Sequence, residues 1–351
     1  MKPPEVSLPS RALFAFNTNL DSVKHISGRF IEEIAYDIPD EMWELRLIMR
    51  RGAQKEIRIS DTTACWLEQV VGSDYFLMGG QAGNAANAAS SLGVTSLVHT
   101  NYKSRALLSR FDSSSRVLIA QGDSFRPASC FAEKKPQATH YILEFEKGDV
   151  FYKKPIPHSN RFIASFDPQE LQVDPDFSRA IRSEIKSISK AFIGGFHLLR
   201  EPESLAQFIR EIESWKKQNP ELKIHFESGE YINKDVMREA VSELFPLIDS
   251  IGMNKSEFKS FGLSLSSLSR KVPEIIVHEP RSIILKPDNK ARRLAVRFGQ
   301  LAASFRAKTG KLPSFKEIDD YAKTKGSLFT AKPKSTVGLG DTFASAYFMA
   351  R

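Results

Sequence analysis

From Phe162 onward the chain interleaves strand-like and helix-like segments, and this alternation constrains the fold more than any other feature. Strand candidates fall at Ala191–Phe196, Leu222–Glu227, Leu247–Gly252, Glu274–His278 and Ser282–Leu285. Helix candidates fall at Phe177–Ser189, Pro202–Gln218, Lys234–Phe245 and Ala291–Lys308. Short apolar strands joined through helices favour a mostly parallel sheet covered on both faces. Such sheets bind ligands beyond the carboxyl ends of their strands. The polar residues just after each strand are therefore the ones to inspect. Earlier in the chain, Ala12–Asn17 reads as a short buried strand and Glu41–Arg51 as a helix. Gln54–Ser60 alternates as a strand, Ala85–Leu92 is a small-residue helix, and Val94–Thr100 is a strand. The middle is β-rich, at Arg116–Ala120, Thr139–Phe145 and Val150–Lys153.

Composition narrows the class. The 351 residues hold two domains, or one large domain with an insertion. Fifty Lys+Arg against 42 Asp+Glu give a net charge of +8, which suits nucleic acid, an anionic surface or a phosphorylated ligand. No basic helix or aromatic-interleaved basic strand supports nucleic acid. No apolar run approaches the roughly 20 residues that cross a bilayer, and Ala12–Phe16 is too short for a signal-peptide core. Cys65 and Cys130 lack metal spacing and read as reduced thiols. A cytoplasmic protein without membrane or nucleic-acid partners is expected.

Four constellations could carry chemistry. In Val337-Gly338-Leu339-Gly340-Asp341-Thr342 two glycines permit a tight turn with inward amides, and the helix that follows favours anions at its start. Asp341 is either an N-cap or a base beside an oxyanion-binding turn. His225-Phe226-Glu227 ends a strand, with His225 and Glu227 on one side. It is either a polar strand end or a carboxylate near a hydrated Mg²⁺. Asn254-Lys255-Ser256-Glu257 is close to a capping box, and could equally aim a second carboxylate at that cation. Gly79-Gly80-Gln81-Ala82-Gly83-Asn84 opens a helix with amide groups on offer. It is no Walker A loop, and no clear strand precedes it as a dinucleotide fingerprint requires. Upstream, Asn17-Thr18-Asn19-Leu20-Asp21 is either an Asx turn or a polar strand end suited to sugar hydroxyls.

Together these motifs resemble the ADP-dependent sugar kinases, the glucokinase and phosphofructokinase family. Phe16 to Asp21 resembles its first-strand motif, and Met78 to Asn84 its Gly-Gly-Gln-Ala-Gly signature. His140-Tyr141-Ile142-Leu143-Glu144-Phe145 and Asn160-Arg161-Phe162-Ile163 resemble landmarks of its lid. The His-x-Glu, Asn-x-x-Glu and Gly-x-Gly-Asp motifs follow in order, the last beginning at Thr336. The resemblance implies a ribokinase-like three-layer α/β/α domain with a small β-rich lid. Residues 1–20 and 160–351, with 83–115, would form the large domain. About 21–80 and 116–159 would form the discontinuous lid and sugar-binding region. It further implies transfer of the β-phosphoryl group of ADP with Mg²⁺, by a monomer or homodimer. Asp341 would be the base and Gly338, Leu339 and Gly340 the anion hole. Val337, Asn254 and His278 would lie beside the nucleotide, and Glu227 and Glu257 would hold the metal. Asn19, Asp21, Glu56, Gly80, Gln81, Asn84, His140 and Arg161 would meet the sugar.

Two clues to the sugar conflict. Glu56 sits roughly where glucose-using relatives place a sugar-contacting Glu, or is equally a solvated charge on an edge strand. Lys153, Lys154 and Arg161 either form a solvated basic face or suit a substrate phosphate. A hexose phosphate such as fructose 6-phosphate is expected, with glucose as the alternative. An ATP-dependent kinase of the wider ribokinase superfamily, and a catalytically silent sensor, are the competing readings.

Overall fold

The computed structural model describes residues 6–134, 137–279, 281–324, 328, 330, 333–334 and 337–351. Its strands are β1 (Arg11–Ala15), β2 (Asn19–His25), β3 (Lys55–Arg58), β4 (Tyr75–Gly79), β5 (Thr95–Val98), β6 (Val117–Gln121), β7 (Ser124–Pro127) and β8 (Thr139–Phe145). There follow β9 (Val150–Phe151), β10 (Lys154–Pro155), β11 (Asn160–Phe166), β12 (Lys190–Ile193), β13 (Lys223–Glu227), β14 (Ser250–Met253), β15 (Ile275–Glu279) and β16 (Ser282–Lys286). A nine-stranded sheet runs β16-β15-β14-β13-β12-β1-β5-β6-β7. The strands from β15 to β6 are parallel, and β16 and β7 cap the two edges antiparallel.

Strand alternation sends side chains to two cores. On β1, Leu13 and Ala15 join a cluster with Phe177, Phe208, Trp215 and Val236 from helices on one face. Ala12 and Phe14 join another with Ala85, Ala295, Phe343 and Tyr347 from helices on the opposite face. Three layers result, as expected. The small residues of the Gln81–Ser91 helix let it lie buried between the sheet and the Leu339–Ala350 helix.

A second, five-stranded sheet runs β3-β11-β8-β2-β4. Tyr141, Leu143, Phe145, Phe162 and Ala164 pack its outer face against Ile31, Leu45, Met49 and Leu67. Its inner face carries Asp21, Val23, His140 and Ile142, and there Val23 and Ile142 meet Val337.

Several strands differ from expectation. Asn19–Asp21 is no turn; it opens β2. A strand does precede Gly79-Gly80: β4 lies at a sheet edge, with Phe76 exposed, so it lacks the buried run that signals a strand. β6 and β7, expected in the lid, extend the large sheet. β11, expected where the chain returns to the large domain, lies between β3 and β8 in the smaller sheet. Cys65 and Cys130 are free and exposed. No helix among the described residues is long and apolar enough to cross a membrane.

Candidate active site

The parallel strands β1, β12, β13, β14 and β15 end on one edge, and Asn17, Gly194, Glu227, Asn254 and His278 lie at or just beyond those ends. The Gln81–Ser91 helix starts at the same edge, because Asn17 accepts from the Gly83 amide through its carbonyl (3.2 Å) and from the Ala82 amide through Oδ1 (3.4 Å). Gln81 was expected to meet the sugar. Its Oε1 instead accepts from the Gly195 amide at 2.7 Å, and its Nε2 donates to the Ser228 carbonyl. Its amide thus ties three strand ends together.

Asp341 lies in the first turn of the Leu339–Ala350 helix, behind Gly338, whose φ of +67° suits glycine. Thr336, the first residue of this motif, lies outside the described residues. Burial, then the charge of Glu227, raises the Asp341 carboxyl to about 7, against the pull of Arg306. Glu227 sits between two imidazoles. Its Oε1 is 2.8 Å from His278 Nε2 and its Oε2 is 3.1 Å from His225 Nε2. His225 and Glu227 therefore share one side of β13, as the alternation predicts, while Phe226 enters the core. Burial alone would raise Glu227; the charge of His278 and both hydrogen bonds hold it well below the usual carboxylate range. Glu257 completes a true capping box. Its Oε2 accepts from the Asn254 amide (2.9 Å) and its Oε1 from Asn254 Nδ2 (2.7 Å). The bland reading of this motif is therefore realised. Glu257 nonetheless senses the active centre: burial, with the charges of Glu227 and Asp341, raises it to about 8.

The smaller sheet supplies the facing wall. Asn19 Nδ2 donates to Asp21 Oδ1 at 2.7 Å, and burial lifts Asp21 to about 6 although His140 and Arg161 pull it down. His140 Nε2 lies 3.4 Å from Asp167 Oδ1. Burial lowers the imidazole, but the charge and hydrogen bond of Asp167, with the charges of Glu56 and Asp21, together outweigh this and raise it to about 9. Glu56 Oε1 accepts from Ser165 Oγ at 2.6 Å and lies 4.0 Å from His140 Nδ1. Gly79 and Gly80 let backbone pass close by: a Cβ on Gly79 would stand 2.0 Å from Asp21 Oδ1, and one on Gly80 2.9 Å from Asn19 Oδ1. The Oδ1 atoms of Asn19 and Asn84 are buried without a hydrogen-bond partner. Two amide acceptors left so are a costly arrangement unless a ligand hydroxyl meets them. Lys153 and Lys154 lie exposed on the β9–β10 hairpin. Arg161 is close enough to Asp21 to depress it.

Sequence reasoning missed three members. Asp167 and His197 surround His140 and Glu56 electrostatically, and Arg306 stands beside Asp341. Asp167 and His197 follow strands, a position that could have flagged them. Nothing in the sequence marks Arg306 among the basic residues of its helix.

A buried carboxylate at a glycine turn, carboxylates on neighbouring strand ends and a polar wall opposite are the arrangement expected of a ribokinase-like phosphotransferase with an alcohol acceptor. The family model of the ADP-specific phosphofructokinase/glucokinase conserved region matches residues 10–285. The chain belongs to that family. It is 24% identical to the ADP-dependent glucose/glucosamine kinase of Pyrococcus furiosus, over 96% of this chain and 93% of that one. It is 23% identical to the ADP-specific phosphofructokinase of Thermococcus kodakarensis and 25% to that of Methanosarcina acetivorans. Those two alignments cover 69% of this chain but only 61% and 58% of the phosphofructokinases. Among solved structures, an ADP-dependent kinase complex with fructose-6-phosphate and ADPβS superposes with a TM-score of 0.81 at 19% identity, covering 97% of this chain and 93% of the other. That likeness shows the fold.

Proposed function

We propose that this protein is an ADP-dependent sugar kinase that moves the β-phosphoryl group of ADP to a hydroxyl of a hexose phosphate, leaving AMP. The observation that carries the reading is the placement of Asp341: behind a left-handed glycine turn, at the strand edge that faces Asn19, Asp21 and Asn84. Asp341 takes the hydroxyl proton as the sugar oxygen bonds to the β-phosphorus. The bond from phosphorus to the bridging oxygen breaks, and that oxygen leaves on AMP. The amides of Leu339 and Gly340, unpaired within their helix, face the charge that gathers on the phosphoryl oxygens. Asn19, Asp21, Asn84 and His140 orient the sugar. Val337, Asn254 and His278 border the nucleotide.

The donor set fits a divalent cation. The charge of Glu227 raises the proton affinity of both Glu257 and Asp341, and Asp341 raises that of Glu257; positive charge near them would relieve that repulsion. Among the described residues no three acidic, His or Cys side chains form a group able to hold a bare metal ion. Glu227 and Glu257 would hold Mg²⁺ through its water shell, as this ion prefers. When bound it would neutralise the diphosphate. Glu227→Gln and Glu257→Gln should each raise the Mg²⁺ concentration for half-maximal rate; an unchanged titration in both would discard this role.

Arg161, whose field reaches Asp21, supports a phosphorylated sugar. A second reading, unphosphorylated glucose, is favoured by Glu56, which joins Asp21 and Asp167 in an acidic wall that would repel a sugar phosphate. A panel of hexoses and hexose phosphates crossed with ADP and ATP separates these acceptors. Turnover with ATP alone would overturn the donor assignment. The reading places the enzyme in the cytoplasm, acting on small molecules.

A further inference from the structure

We propose that Arg306 is a positioning residue of the phosphoryl-transfer site: it clamps the Gly338 carbonyl and the Thr342 hydroxyl, which fixes the direction of the Leu339 amide, and it sets a permanent positive charge beside Asp341.

Arg306 lies near the end of the Lys290–Thr309 helix and is only 6% exposed. It also lies beyond the 10–285 span matched by the family model. Its Nη1 donates to the Gly338 carbonyl at 3.0 Å and to Thr342 Oγ1 at 2.7 Å. The same carbonyl accepts from the Thr342 amide at 3.0 Å and from Thr342 Oγ1 at 2.8 Å. Three donors therefore hold one peptide oxygen.

The peptide plane makes this hold matter. The Gly338 C=O and the Leu339 N–H belong to one rigid trans unit and point in opposite directions. An oxygen locked toward the helix body turns the Leu339 N–H out of the helix start, where a transferred phosphoryl group would sit. Gly338 is otherwise free to flip, because its φ of +67° lies in a region glycine leaves easily. The approach is close: a Cβ on Gly338 would stand 2.8 Å from Arg306 Nη1 and 2.6 Å from Asn84 Oδ1.

A guanidinium is an expensive way to fill a core position. Replacing buried charge by an apolar side chain of similar volume is often neutral or stabilising. The other buried residues of its helix are mostly apolar, among them Leu301, Ala302 and Ala307. Three carboxylates, Asp341, Asp112 and Asp21, act on its charge. Asp341 is the base and Asp21 lies in the sugar wall. The guanidinium thus joins the acidic parts of the site, and through Gly338 it also reaches the amides that must meet an anion.

The inference rests on the kinase reading, and its test separates the two. Wild-type turnover with ADP tests the reading; the ratio of variant to wild type tests Arg306. Arg306→Met should lower kcat by roughly 100-fold, the loss typical of one oxyanion donor, with both KM values within about threefold. Arg306→Lys, which keeps charge but not the fork, should recover part of kcat. Millimolar guanidinium should restore part of the Met variant's rate and leave wild type unchanged. If Arg306→Met does not fold, Arg306→Lys decides alone. A folded variant with kcat within about threefold of wild type, or a kcat loss matched by loss of folded protein with no guanidinium rescue, overturns the proposal.

Discussion

Asp341 and Asp21 are both raised by burial, to about 7 and about 6, yet opposite charges lie within reach of each. A base is useful when its proton affinity lies near the working pH. Asp341→Asn should therefore abolish turnover while the fold and ADP binding persist, read by circular dichroism and calorimetry. A near-normal rate would remove Asp341 as base. Because the base must be unprotonated, kcat/KM should rise with pH through about 7, the value set by burial and Glu227. His140 gives the opposite sign. Its folded value of about 9 lies above the ordinary 6.5 because of Asp167. Its stabilising contribution is complete below 6.5 and fades as pH climbs through 9. The difference in urea midpoint between wild type and His140→Gln should shrink across that window. A constant difference would mean that the Asp167 pair contributes nothing.

Among the elements, the glycine turns and the strand ends do most to define the site. A Cβ on Gly79 would collide with Asp21 Oδ1 and Asn19 Nδ2, at 2.0 and 2.3 Å. Gly79→Ala should therefore raise the sugar KM by about tenfold or more, since the lost contacts serve binding, while the ADP KM holds. Equal KM values for both variant and wild type would show the wall is elsewhere. The sequence made β13 legible because its alternation sets His225 and Glu227 on one side and core Phe226 on the other. It left β2 undecided, since the polar Asn19 and Asp21 suit a turn as well as a strand end; both are buried here, and buried polar strands occur where a ligand supplies the missing partners. The role of Gln81 was hidden because its partners, Gly195 and Ser228, are backbone groups more than a hundred residues away. Arg306 was hidden for a related reason: its partners, Gly338 and Thr342, lie at the start of the Leu339–Ala350 helix, and helical periodicity says nothing of which basic residue turns inward.

At the scale of the whole molecule, the expectation of a parallel sheet with helices on both faces was legible from texture alone, while the small β-rich lid came from the family resemblance, with which the texture agreed. The lid boundaries were not, because β6, β7 and β11 carry the same strand signal whichever sheet they join. Val337, one residue before Gly338, packs on Val23 and Ile142 of the smaller sheet. If the smaller sheet closes over the cleft, this contact would tie its position to that of Gly338 and Asp341. A closed cleft would keep water from taking the phosphoryl group. Ile142→Asp should then raise ADP hydrolysis in the absence of transfer, measured as AMP released per sugar phosphate formed. An unchanged ratio would sever that link. The central claim is that the β-phosphoryl of ADP reaches a sugar hydroxyl. The most direct test follows ADP labelled with ³²P at the β-position through a reaction with hexoses and hexose phosphates. The account predicts label on the sugar and one unlabelled AMP for each transfer; label that stays on nucleotide with every acceptor, while ATP supports turnover, would contradict it.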